Sequence, residues 1–159
     1  MKGTMEEKHI LIVEDNSDDI ELIRRLFERN HLRNHLDAVS DGREALDYLS
    51  GKGRYKDRNP QSLPCLVLLD TRLPKLDGLE ILKRLRSKSF ISDLPVIMMT
   101  DTKDKEEIKA IKGYGLGVKA FLRKPFSFAG FVKAARKAGL SWMVSNEPVR
   151  QGMKKRKVT

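Results

Sequence analysis

Five short apolar runs alternate along the chain with longer segments in which apolar residues recur every three or four positions. The runs are Ile10–Val13, Leu36–Val39, Leu66–Leu69, Val96–Met99 and Val118–Leu122. The first, third and fourth are nearly continuous, as expected of parallel strands covered on both faces by helices. After Asn16 or Ser17, either a good N-cap, Ile20, Leu22, Ile23, Leu26 and Phe27 return with helical spacing, and Asp18, Asp19 and Glu21 occupy a first turn that favours negative charge. Asp41 caps a second helix carrying Ala45, Leu46 and Leu49, and Gly51 ends it. Asp77 begins a third, with Leu79, Ile81, Leu82 and Leu85 as its apolar positions. A fourth, roughly Lys103 to Tyr114, is the weakest, because Gly113, Gly115 and Gly117 crowd its end. The fifth is expected to run from about Ser127 through Phe128, Phe131, Val132 and Ala135 towards Trp142 and Met143.

The order is strand then helix, five times over. Right-handed crossovers turn that order into a parallel sheet with helices on both faces, an α/β architecture. In such open sheets the functional site lies at the carboxyl ends of the strands. The loop Lys52–Pro64 is long, polar and basic, and reads as an insertion ahead of the third strand.

Composition narrows the picture. The chain has 159 residues, 40% of them hydrophobic, which suits one core. No apolar run approaches the roughly 20 residues of a membrane span, and Met1 to Lys8 lacks the apolar stretch of a signal peptide. Cys65 is the single cysteine, so neither an intramolecular disulfide nor a thiolate metal cluster is available, and a cytoplasmic setting is expected. The net charge of +10 is partly gathered in Lys154, Lys155, Arg156 and Lys157, a basic tail read as a solvated, flexible end. His9, His31 and His35 are too scattered for a metal site.

Candidate chemistry gathers at the strand ends. Glu14 and Asp15 follow the first strand, Asp70 ends the third, Thr100 the fourth, and Lys124–Pro125 follows the fifth. The three carboxylates are hard oxygen ligands of the kind Mg²⁺ takes, and the Arg72 backbone carbonyl offers another oxygen. Asp70 then has the surroundings of a nucleophile for phosphoryl transfer, with Lys124 and Thr100 placed to hold phosphoryl oxygens. Each residue is a weak signal alone; five in one order, each at a strand end, are not.

Four segments carry a resemblance: Ile10-Leu-Ile-Val-Glu-Asp-Asn16, Leu68-Leu-Asp-Thr-Arg-Leu-Pro-Lys-Leu-Asp-Gly78, Pro95-Val-Ile-Met-Met-Thr100 and Phe121-Leu-Arg-Lys-Pro-Phe126. Together they resemble the receiver domains of two-component response regulators, over roughly Lys8 to Trp142. The early acidic segment, the long loop before the third strand and the Trp in the last helix are similar to the stand-alone subgroup that includes cyanobacterial phytochrome response regulators. The resemblance implies a doubly wound, flavodoxin-like sheet of order 2-1-3-4-5 with five helices. It divides the chain into an extension over residues 1–7, the receiver domain over 8–145 and the tail over 146–159. It makes Asp70 the phosphoacceptor, Glu14 and Asp15 the acidic pair for Mg²⁺, Thr100 the switch hydroxyl, Lys124 the phosphate-contacting lysine and Phe121 the aromatic switch. It also implies a cis Lys124–Pro125 peptide. The implied donor is a sensor histidine kinase, phytochrome-like by subgroup, and the output is contact with a downstream protein or a homodimer through the fourth helix, fifth strand and fifth helix.

Some positions depart from the family pattern. Phe121 lacks the hydroxyl of the Tyr found in many members, so it switches by packing alone. Asp101, after the switch Thr, brings a carboxylate where a small residue is commoner and stands to crowd a phosphoryl group. Arg72 and Thr102 stand at positions that tune phosphoryl lifetime. A phosphohydrolase of the haloacid-dehalogenase type also pairs an Asp nucleophile with Mg²⁺, but expects a second Asp where Arg72 stands. Only about 15 residues follow the fifth helix, too few for a helix-turn-helix, so direct nucleic-acid binding is not expected; with no apolar run long enough to span a bilayer, neither is membrane association. The expected protein is a signalling module, not a turnover enzyme.

Overall fold

The computed structural model describes residues 8–59, 62–73, 76–101 and 105–144. Residues 1–7 and the basic tail, and with them Thr102, lie outside the described residues. Five strands, β1 (His9–Val13), β2 (His35–Val39), β3 (Leu66–Asp70), β4 (Val96–Thr100) and β5 (Ala120–Arg123), form one parallel sheet in the order β2-β1-β3-β4-β5. The helices are α1 (Ser17–Arg29), α2 (Gly42–Ser50), α3 (Gly78–Arg86), α4 (Lys105–Gly113), α5 (Phe128–Lys137) and a single turn, α6 (Ser141–Val144).

Two core clusters, one on each face of the sheet, stand where composition suggested one, and they explain the continuous apolar strands. Alternate residues point to opposite faces of a strand. Ile10, Ile12, Leu66, Leu68, Ile97 and Met99 pack on one face with Ile23 and Phe27 of α1 and Phe131 and Ala135 of α5. Leu11, Val13, Val67, Leu69, Val96 and Met98 pack on the other, against α2, α3 and Ile111 of α4. The ring of Phe27 meets that of Phe131 at 5.0 Å, joining α1 to α5.

Caps set the helix starts. Asn16, of the two candidates, caps α1, its side chain accepting from the amides of Asp18 at 2.9 Å and Asp19 at 3.2 Å. Asp41, Asp77 and Ser127 accept in the same way from Glu44, Glu80 and Gly130. Gly51 closes α2 in the left-handed region at φ 65°.

Two sequence expectations need correction. The fifth helix does not continue to Met143: α5 stops at Lys137, Gly139 turns the chain at φ 78°, and Trp142 and Met143 belong to α6. The turn lets Leu140 and Met143 reach the core, which a straight helix would carry past the sheet. The fifth strand starts at Ala120 rather than Val118: the Lys119 amide bonds the Val96 carbonyl at 2.9 Å, and the paired register with β4 begins with Ala120 against Ile97. The insertion ahead of β3 carries a 3-10 turn, Gly53–Tyr55, packed on α2. Here Tyr55 donates to Glu44 at 2.5 Å, and the Arg58 guanidinium lies 4.0 Å from the Tyr48 ring centroid.

Candidate functional site

The parallel register brings the carboxyl ends of β1, β3 and β4 side by side, with Val13 against Leu69 and Asp70 against Met99. Glu14 leaves β1 with its amide bonded to the Val39 carbonyl, and its own carboxylate accepts from the Asn16 amide at 3.2 Å. The residue is 1% exposed. Asp70 is the last residue of β3 and is 5% exposed. Its Oδ1 accepts from the Arg72 amide at 3.1 Å, which fixes the carboxylate against the loop that follows. Gly78 permits this loop: a Cβ there would stand 2.5 Å from the Asp70 carbonyl oxygen and 2.8 Å from Thr71 Cα.

Lys124 reaches the same point from the end of β5. Its amide donates to the Thr100 carbonyl at 2.7 Å and its peptide with Pro125 is cis, as the resemblance implied. Its Nζ donates to Glu14 Oε1 at 2.8 Å, Asp19 Oδ2 at 3.0 Å and Asp70 Oδ2 at 3.2 Å. One ammonium thus faces three carboxylates. Burial works against its charge, but the bonds to Glu14 and Asp19 and the field of Asp70 outweigh it and raise its pKa. The Glu14 carboxyl is raised as well, towards its neutral form: burial first, aided by Asp70 beside it, pushes it up to about 7 despite the Lys124 bond.

Glu14, Asp15 and Asp70 each offer a carboxylate oxygen, and these lie within 4.8 Å of one another. A buried Glu held near neutrality beside two further carboxylates is a site short of positive charge, and its all-oxygen donor set fits a hard divalent cation. Thr100 is 1% exposed at the end of β4, while Asp101 beside it is exposed. Phe121 is half-buried, packed against the core on the α4 side with Lys112 Nζ 5.7 Å from its ring centroid.

The structure brings Glu14, Asp15, Asp70 and Lys124 together, with Thr100 at the adjoining strand end. Sequence reading missed Asp19 as a site residue, taking it only as a first-turn acid. Its signal was the helix start immediately after β1, which turns α1's first residues over the strand ends. Thr71, next to Asp70, has its Oγ1 buried without a hydrogen-bond partner among the described residues. The Arg72 guanidinium turns away towards Glu107 of α4, at 3.5 Å. His35 sits at an exposed strand start, bonded to Asp37 at 3.0 Å, well apart from the acidic site. Among the described residues no helix is long and apolar enough to cross a membrane.

Several known proteins are similar to this chain in sequence and fold. The chain is 34% identical over 134 residues to a probable methanogenesis regulatory protein, FilR2, of Methanothrix harundinacea, spanning 84% of this chain and 83% of that one. It is 42% identical to the bacteriophytochrome response regulator RtBRR, with a TM-score of 0.78, covering 89% of this chain and 83% of that chain. The Mn²⁺-bound form of the response regulator Rcp1 matches with 28% identity and a TM-score of 0.67, over 91% of this chain and 99% of that one; Rcp1 is a protein of Synechocystis. The model of the response regulator receiver domain matches residues 10–136, from β1 into α5 and across the whole acidic site, so this chain belongs to the response regulator receiver domain family.

Proposed function

We propose that Asp70 is the residue on which this receiver domain accepts a phosphoryl group from a histidine kinase. The observation that carries the reading is the single ammonium of Lys124 held between Asp70, Glu14 and Asp19 at the strand ends. An Asp70 carboxylate oxygen attacks phosphorus in line. The bond from phosphorus to the donor histidine nitrogen breaks, and that nitrogen keeps the electron pair. Asp70 becomes an acyl phosphate. Lys124 Nζ is already within hydrogen-bond reach of the carboxylate, so it can hold an oxygen of the transferred group. Thr100 donates its hydroxyl to another.

Glu14, Asp15 and Asp70 would hold Mg²⁺, with the Arg72 carbonyl as a further oxygen ligand. The ion supplies the positive charge that offsets repulsion between the carboxylates and the incoming phosphoryl group.

As Thr100 is drawn to the phosphoryl group, Phe121 follows by packing inward. The face of α4, β5 and α5 is thereby remodelled for a downstream protein or a second copy of the chain. The similarity to bacteriophytochrome and cyanobacterial phytochrome response regulators supports a phytochrome-type kinase as donor. Leu22, 52% exposed on α1, lines a cavity with Leu26, Pro125 and Phe126 that is edged by Asp19, Arg25, Arg29 and Lys124 and suits a kinase helix. The chain acts as a signalling switch, not a turnover enzyme.

Intact mass after incubation with Mg²⁺ and a small acyl-phosphate donor tests this. One added phosphoryl group on the native chain and none on Asp70→Asn is expected. Equal labelling of both would overturn the assignment of Asp70, and labelling of neither would overturn its role as acceptor.

A further inference from the structure

Arg72 stands two residues after Asp70, on the loop whose amide holds the Asp70 carboxylate at 3.1 Å. Its guanidinium is bound elsewhere, 3.5 Å from Glu107 Oε2 in the first turn of α4. The Arg side chain is 62% exposed and the Glu side chain 33%. The pair therefore joins the loop at the acceptor to the start of α4, and no backbone hydrogen bond links that loop to α4 among the described residues. An ion pair so exposed stabilises little and is easily exchanged for a stronger partner. A phosphoryl group on Asp70 is such a partner. It places about two negative charges within one side-chain length of Arg72, and guanidinium binds phosphate oxygens in bidentate geometry.

We infer that Arg72 is an exchangeable latch: it holds the first turn of α4 through Glu107 at rest and transfers to the phosphoryl group when Asp70 is phosphorylated, releasing α4. Arg72 is in this account a positioning residue for the switch and a stabiliser of the acyl phosphate. Glu107 competes for the same guanidinium. The inference rests on Asp70 being the acceptor.

The competition predicts a signature that a merely structural ion pair lacks. Arg72→Ala and Glu107→Gln both break this contact, so both loosen α4 at rest. Their effects on the phosphoryl group are opposite, because one removes the guanidinium and the other removes its competitor. The experiment combines intact mass, followed through labelling with an acyl-phosphate donor and Mg²⁺ and through decay, with amide hydrogen exchange of residues 105–113. In the resting chain, both variants are expected to exchange about two- to fivefold faster than native in the first turn of α4. Phosphorylation should bring native α4 to the variants' level. Labelling should slow in Arg72→Ala and quicken in Glu107→Gln. Resting exchange unchanged in both variants, native exchange unchanged on phosphorylation, or labelling shifted in the same direction by both would overturn the latch. A native chain that gains no mass overturns the acceptor assignment and the latch with it; a chain that gains mass without the exchange signature overturns the latch alone.

Discussion

Lys124 Nζ lies 3.2 Å from Asp70 Oδ2 and 2.8 Å from Glu14 Oε1, so one cation from the end of β5 is shared between carboxyl groups delivered by β3 and β1. Glu14 and Asp70 are almost fully buried, so Lys124 is as much a structural counter-ion as a phosphate ligand. Removing one partner of a buried ion pair costs about 3–5 kcal/mol. Lys124→Ala is expected to lose stability of that order in metal-free buffer, measured by urea unfolding, and part of the loss should return with Mg²⁺. Labelling of Asp70 in the presence of Mg²⁺ should fall sharply.

Glu14 gives the metal-free protein a pH dependence opposite in sign to that of an ordinary salt-bridged carboxylate. Its folded pKa is raised to about 7 by burial and by Asp70, from the ordinary 4.5. As pH rises from 4.5 towards 7 the unfolded chain releases this proton and the folded chain keeps it, so the group's contribution to stability declines across that window. Urea unfolding between pH 4.5 and 7.5 without metal should show this decline, and Glu14→Gln should flatten it. A cation bound at the site favours the ionised form, so Mg²⁺ should restore stability most at the upper end of the range.

Glu44 behaves in the usual direction. Burial works against its charge, but the Ser40 amide, the Tyr55 and Ser40 hydroxyls and Arg54 together hold its pKa below the ordinary value. Its stabilisation is in place above pH 4.5 and is lost as pH falls through the lowered folded value. Glu44→Gln is expected to cost about 1–2 kcal/mol at pH 7 and much less near pH 3, read from denaturant midpoints. Because Glu44 and Tyr48 anchor Tyr55 and Arg58, the same variant should increase proteolysis in the loop over residues 52–59.

Gly78→Ala should damage the site from behind. The added Cβ meets backbone at Asp70 and Thr71, which cannot move without shifting the acceptor. Overpacking of this kind costs about 1–3 kcal/mol. Slower labelling of Asp70 at saturating Mg²⁺ is expected alongside the lowered urea midpoint.

Arg86 fastens the end of α3 to two loops. Its guanidinium donates to the carbonyls of Leu116, Leu94, Ser92 and Gly117 at 2.7, 2.7, 3.1 and 3.3 Å. Arg86→Lys keeps the charge but cannot reach four carbonyls from one nitrogen. A loss of about 2–3 kcal/mol is expected for Lys and Ala alike, measured by thermal and urea unfolding.

The sequence by itself determined the alternation of strands and helices, because continuous apolar runs and three-to-four spacing report directly which faces are covered. It offered Asn16 or Ser17 as the first cap and Asp41 as the second, and began helices at Asp77 and near Ser127; such caps are legible because their side chains act on amides two or three residues away. It also put Glu14, Asp15, Asp70, Thr100 and Lys124 at strand ends, since a parallel sheet sends every such end to the same edge. Relations between residues far apart in the chain emerge only on folding. Asp19 joins the site because α1 turns back over β1, and its helical position alone says nothing of Lys124, 105 residues on. The depth of Glu14, and hence its raised pKa, comes from the neighbours the sheet packs around it. The end of α5 at Lys137 follows from the core's need for Leu140 and Met143, which apolar spacing alone reads as more helix. The Arg72–Glu107 pair depends on where α4 settles against the loop after β3, and local sequence holds no record of that distance.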